Sequence, residues 1–138
     1  MITRIKNILV IDDEKEFART ISRHLKREGF TVDIAFDAES AMEKIQAIAT
    51  NGTAPFDLVI TDVIMPGING VELLKWLHDN YPQTAVLVIS GMDLPQESKR
   101  ELHPICDYFR KKPFTPDVIM DAIQRIEIKK HINDVVAV

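Results

Sequence analysis

Residues 7–14 read Asn-Ile-Leu-Val-Ile-Asp-Asp-Glu (NILVIDDE). Four consecutive aliphatic residues without polar alternation suit a strand buried on both faces, the kind found in parallel sheets covered by helices. The run stops abruptly on two carboxylates, Asp12 and Asp13. Similar runs follow at 31–36 (TVDIAF), 57–61 (DLVIT), 84–90 (TAVLVIS) and, more weakly, 107–109 (DYF). The segments between them carry helical spacing. Phe17, Ile21 and Leu25 stand four apart, with Gly29 placed as a helix C-terminal residue. Ala38, Ala41, Met42, Ile45 and Ile48 form a second stripe behind Asp37, a candidate N-cap, and Val71, Leu74 and Leu77 form a third. Thr115, Pro116 and Asp117 open the last helix, whose buried stripe is Ile119, Ala122, Ile123 and Ile126. Residues 95–102 show no apolar face, which predicts a short, exposed fourth helix. Five strands alternating with five helices predict an α/β fold built on a doubly wound parallel sheet.

Bulk properties narrow the classes of function. A chain of 138 residues fits one domain, and 46% apolar with 28% charged residues is enough for a single unstapled core. Seventeen Lys and Arg against twenty-one Asp and Glu leave a net charge of −4, against the basic excess of a direct nucleic-acid binder. The single Cys106 excludes an internal disulfide, and His24, His78, His103 and His131 show no metal-ligand spacing. No apolar run approaches the roughly 18 residues of a membrane span. The opening MITRIKNILVIDDE meets acidic residues too early for a signal peptide. The expectation is a cytoplasmic protein with no membrane partner.

In doubly wound sheets ligands bind beyond the carboxyl ends of the strands. Asp12 and Asp13 follow the first strand, Asp62 the third, Ser90 ends the fourth, and Lys112 with Pro113 follows the fifth. Taken singly, these residues have plainer readings. Asp12 and Asp13 suit a helix N-terminus, Asp62 a turn, Ser90 a cap for the fourth helix, and Lys112 a solvated basic run. Taken together they crowd three carboxylates on one edge. Like charges ~4 Å apart repel by about 4 kcal/mol at an effective dielectric of 20, so a cation is the expected remedy. An all-oxygen, solvent-accessible site suits Mg²⁺. A carboxylate beside Mg²⁺ and a lysine is equipped for phosphoryl transfer, with Ser90 able to donate to a phosphoryl oxygen.

At these residues the chain resembles the receiver domain of two-component response regulators. Four motifs carry the resemblance: Ile8–Glu14 (ILVIDDE), 62–67 (DVIMPG), 89–91 (ISG) and 112–114 (KPF), spread over about residues 5–128. The resemblance implies a flavodoxin-like sheet with strand order 2-1-3-4-5. It implies Asp62 as phospho-acceptor, Mg²⁺ held by Asp12, Asp13, Asp62 and the backbone carbonyl of Ile64, Lys112 pairing the phosphate and Ser90 as switch hydroxyl. Counting three back from Lys112 places Phe109 at the switch aromatic, with Tyr108 one residue off that register. The implied partner is a sensor histidine kinase or a histidine phosphotransfer protein, and the protein is a signalling switch, not a turnover enzyme. Ile64 and Met92 stand where the family flanks the route of the hydrolytic water; both are apolar, which predicts slow self-dephosphorylation. The chain departs from the family in having Pro104-Ile105-Cys106 before the fifth strand, where a small Gly-Ala pair is common, and in a long loop at 49–55.

Residues 1–128 are thus read as the receiver and 129–138 (KKHINDVVAV) as a helical extension or tail, too short for a DNA-binding module. Two alternatives remain at this point. One is a Mg²⁺-dependent aspartyl-phosphate phosphatase; the other is a receiver excised from a larger DNA-binding regulator.

Overall fold

The aliphatic runs pair and the helical stripes cover them. The computed structural model describes residues 5–49, 55–63, 70–91, 94–111 and 115–136, with side chains through Lys130. In chain order the elements are β1 (Asn7–Ile11), α1 (Lys15–Arg27), β2 (Thr31–Ala35), α2 (Ala38–Ile48) and β3 (Leu58–Asp62). There follow α3 (Gly70–Asn80), β4 (Ala85–Ser90), α4 (Gln96–Leu102), β5 (Tyr108–Lys111) and α5 (Pro116–Val136). All strand pairs are parallel, in the order β2-β1-β3-β4-β5. The doubly wound sheet and its expected order are both present.

Because successive side chains on a strand alternate faces, each central strand feeds two cores. Leu9, Ile11, Val59, Val86 and Val88 pack with Ala41, Ile45, Leu73, Leu74 and Leu77 of α2 and α3. Ile8, Val10, Ile60, Leu87 and Ile89 pack on the other face with Ile21 and Leu25 of α1 and Ile119, Ile123 and Ile126 of α5. The fourth helix is seven residues long and buries Leu102 alone, as its polar sequence predicts. Trp76 lies against the first core and meets Tyr81 edge-on, with ring centroids 5.9 Å apart.

Helix ends follow their local signals. The Asp37 carboxylate accepts from the Ser40 amide at 2.7 Å and caps α2. Gly29 adopts φ +101°, and past it the Phe30 amide donates to the Leu25 carbonyl while the Gly29 amide donates to Lys26, both at 3.1 Å. That pair of bonds is the Schellman arrangement, and it needs a residue at ease in the left-handed region.

Strand starts differ from the sequence reading, which began the third and fifth strands at Asp57 and Asp107. Each stands just ahead of its strand and bonds through its side chain to the neighbouring one. Asp57 Oδ2 accepts from the amides of Lys6 and Asn7, each at 2.9 Å, and Asp107 Oδ2 accepts from Val86 at 2.8 Å. The carboxylate thereby satisfies amides at the first rung of a parallel ladder, beside the backbone bonds that the Asp57 and Asp107 amides donate to Asn7 and Val86.

These two kinds of contact differ in expected weight. Ile60→Ala, in a fully buried strand, is expected to destabilise by about 2–5 kcal/mol in urea titration. Asp57→Ala, whose two amides can turn to water, is expected to lower stability by only about 1 kcal/mol in the same measurement.

Candidate functional site

Register builds the site. The β1–β3 ladder pairs Ile8 with Leu58 through Ile11 with Thr61, so its next step sets Asp12 beside Asp62. Two further bonds hold Asp12. Its amide donates to the Ala35 carbonyl of β2 at 3.1 Å, and its Oδ1 accepts from the Glu14 amide at 2.9 Å. On the other side of β3, Asp62 pairs with Ile89, which places the end of β4, Ser90, one residue further along the adjacent strand. The Thr61 hydroxyl donates to the Asp62 carbonyl at 2.8 Å, steadying the last peptide of β3.

The result is the expected convergence. Asp12, Asp13 and Asp62 each offer a carboxylate oxygen, and these atoms lie within 4.8 Å of one another. Asp12 and Asp62 are buried, at 0% and 5% exposure, whereas Asp13 is exposed. At such separations like charges repel by several kcal/mol where solvent is sparse and by about 1 kcal/mol where it is plentiful. Three hard oxygen donors, two in the protein and one facing water, fit a hard divalent cation that keeps part of its hydration shell. Among the described residues this is the one group of three or more His, Cys, Asp or Glu side chains arranged to hold a metal ion.

The remaining expected residues fall in several places. Ser90 is fully buried and pairs in register with Lys111, so it lies at the strand end and not at the start of α4, where Pro95 occupies the cap position. Phe109 pairs with Val88 and is 41% exposed, on the sheet face that carries α3 and α4; Tyr108 packs with the opposite core. Lys112, the Ile64 carbonyl, Met92 and the side chain of His131 lie outside what is described, as does most of the 49–55 loop. Cys106 is half-buried. Its thiol donates to the Tyr108 carbonyl at 2.8 Å, and burial pushes its pKa up, so it acts as a hydrogen-bond donor.

Sequence reasoning passed over Thr61 and Gly70. Thr61 is hidden inside a strand pattern that any β-branched residue would satisfy. Gly70 had a signal, the turn pair Asn69-Gly70 ahead of a helical stripe.

The family model described as the response regulator receiver domain matches residues 8–124. The chain belongs to this family. Among its relatives is the response regulator GtcR of Aneurinibacillus migulanus, 32% identical over 122 residues that make up 88% of this chain and 46% of that protein. Among solved structures, the chemotaxis response regulator CheY4 of Vibrio cholerae is 29% identical with a TM-score of 0.75, covering 90% of this chain and 99% of that one. The fold is also shared with a CheY-like receiver domain protein from Methanospirillum hungatei, with a TM-score of 0.82 at 24% identity, over 94% of this chain and 98% of that one. The receiver spans about half the length of the curated relatives it matches. No helix among the described residues is long and apolar enough to cross a membrane. Receiver domains are regulators of two-component signalling, and the phosphatase alternative is not favoured.

The charge argument has a direct check. In metal-free buffer Asp13→Asn removes a like charge from the cluster and is expected to raise stability by about 1 kcal/mol. Adding a divalent cation is expected to reverse the order of the two proteins in thermal melts, because the wild-type site then holds the ion more tightly.

Proposed function

We propose that this receiver, in the cytoplasm, accepts a phosphoryl group on Asp62 from the phosphohistidine of a sensor histidine kinase or histidine phosphotransfer protein. The convergence of Asp12, Asp13 and Asp62 within 4.8 Å carries the reading. Residues 1–128 act as the receiver and 129–138 as a C-terminal helix extension or tail, with α5 running through Val136.

The cation is Mg²⁺, held by Asp12, Asp13, Asp62 and the backbone carbonyl of Ile64. Bound there, Mg²⁺ supplies positive charge to the phosphoryl oxygens. The chain's own residues do the rest. The bond from the Glu14 amide holds the Asp12 carboxylate in place. An Asp62 carboxylate oxygen attacks phosphorus in line. The new bond joins this oxygen to phosphorus, the phosphorus–nitrogen bond to histidine breaks, and its electron pair stays on the departing imidazole. Lys112 places its ammonium on the phosphoryl oxygens, and Ser90 donates its hydroxyl to one of them.

A dianion on Asp62 then draws Ser90 inward, and Phe109 turns from its exposed position into the space vacated. That motion biases the face made by α4, β5 and α5. A groove of about 670 Å³ on this face is lined by Leu94, Leu102 and Phe109 together with Lys99, His103 and Lys129. An output protein docking there senses the state of Asp62 through its differential contacts with Phe109 inward and outward. No direct contact with nucleic acid or membrane is part of this scheme.

Two measurements test it. Asp62→Asn is expected to abolish phosphoryl uptake from acetyl phosphate and Mg²⁺, read by intact mass; uptake of one group by that variant would remove Asp62 as acceptor. The apolar residues at 64 and 92 predict a long-lived phosphorylated form. Ile64→Asn and Met92→Glu are each expected to shorten its lifetime several-fold, and a lengthened lifetime would overturn the prediction.

A further inference from the structure

The chain leaves the end of β3 at Val63 and returns at Gly70, the first residue of α3. These two residues meet backbone to backbone. A Cβ placed on Gly70 would lie 2.5 Å from the Val63 Cα, 2.7 Å from its carbonyl oxygen and 2.9 Å from its carbonyl carbon. Ordinary van der Waals contact begins at 3.4 Å, so a methyl group here requires a displacement of about 0.9 Å. The obstacle is main chain, which cannot turn aside as a side-chain tip can.

Neither neighbour moves freely. Gly70, Val71, Leu73, Leu74 and Leu77 are all buried, so α3 is seated on the sheet along its length. The Val63 side chain is buried in the same core. On its other side Val63 joins Asp62, whose carbonyl accepts the Thr61 hydroxyl. A push from residue 70 is therefore delivered to the peptide that follows the candidate phospho-acceptor.

We infer that Gly70 is a positioning residue for the Asp62 site: the missing Cβ lets α3 seat directly on the Val63 backbone and sets where the Asp62 carboxylate stands relative to Asp12 and Asp13. This rests on the reading of Asp62 as phospho-acceptor. The conformational freedom of glycine is not the reason, since close approach alone excludes a side chain here.

The test uses the full chain with Gly70→Ala, Gly70→Ser and, as a stability control on α2, Ile45→Val. Ser presents the same Cβ and adds a hydroxyl able to bond amides of a first helical turn, so it supports folding while keeping the clash. Three quantities are read: the thermal midpoint, the affinity for MgCl₂ by calorimetry without any phosphodonor, and the initial rate of phosphoryl uptake from acetyl phosphate. Misplacing reacting groups by 1 Å lowers rates up to about 10²-fold, and part of the push is taken up by α3. Both Gly70 variants are accordingly expected to take up phosphoryl groups about tenfold more slowly and to bind MgCl₂ several-fold more weakly. Ile45→Val is expected to melt earlier with both site properties unchanged.

Gly70 variants within twofold of wild type in rate and affinity overturn the inference. So does an equal loss in Ile45→Val, or the absence of cooperative melting in both Gly70 variants, which would make the contact one of fold alone. A wild-type chain that neither binds MgCl₂ nor takes up phosphoryl groups overturns the acceptor reading itself, and that failure is distinguished by appearing before any substitution is made.

Discussion

Parallel pairing of β1 with β3 holds together side chains that electrostatics alone would separate. The two strands interlock through Ile8, Leu9, Val10 and Ile11 against Leu58, Val59, Ile60 and Thr61, all buried. Each large aliphatic side chain so buried contributes about 1.5–3 kcal/mol relative to exposure. Carboxylate repulsion at the end of the ladder is of order 1–4 kcal/mol per pair. The core therefore outweighs the repulsion comfortably, and the strain stays at the sheet edge, where a cation or a phosphoryl group can act on it. A one-residue slip of this ladder would turn Asp12 and Asp62 to opposite faces, so the site exists only in this register.

The rest of the molecule grades from that rigid centre to a looser edge. β3 and β4 are buried throughout, whereas β5 exposes Phe109, Arg110 and Lys111. The neighbouring α4 contributes one buried residue, Leu102. Few buried contacts mean low local stability, which is where a conformational response is least opposed. Asp62 thus sits at the end of a packed strand that keeps its geometry, while the exposed Phe109 and the groove lie on the far side of β4. Transfer needs fixed carboxylates; signalling needs an element with two accessible arrangements.

Close packing of backbone completes this division. Seating α3 on Val63 through Gly70 ties the peptide after Asp62 to a helix anchored by Leu73, Leu74 and Leu77. On the β1 side, the Glu14 amide bonded to Asp12 does the corresponding work at the start of α1. Both are local devices that cost no extra buried volume.

Amino-acid sequence alone determined what depends on neighbours in the chain. Aliphatic runs marked the strands, the Asp37 cap and the Gly29 terminus marked helix ends, and the acidic residues stood visibly at strand ends, because each of these is decided by hydrophobic period or by backbone bonding within a few residues. Tertiary structure alone decided what depends on distance across the sheet. It brought Asp12 and Asp62 side by side, turned Asp57 and Asp107 from strand residues into acceptors for the next strand, left Phe109 exposed and Cys106 half-buried, and pressed Gly70 against Val63. Those outcomes follow from register and from how closely two backbones approach, and a one-dimensional pattern of residue types encodes neither directly: the same alternation of apolar residues is compatible with several registers until the whole core is packed.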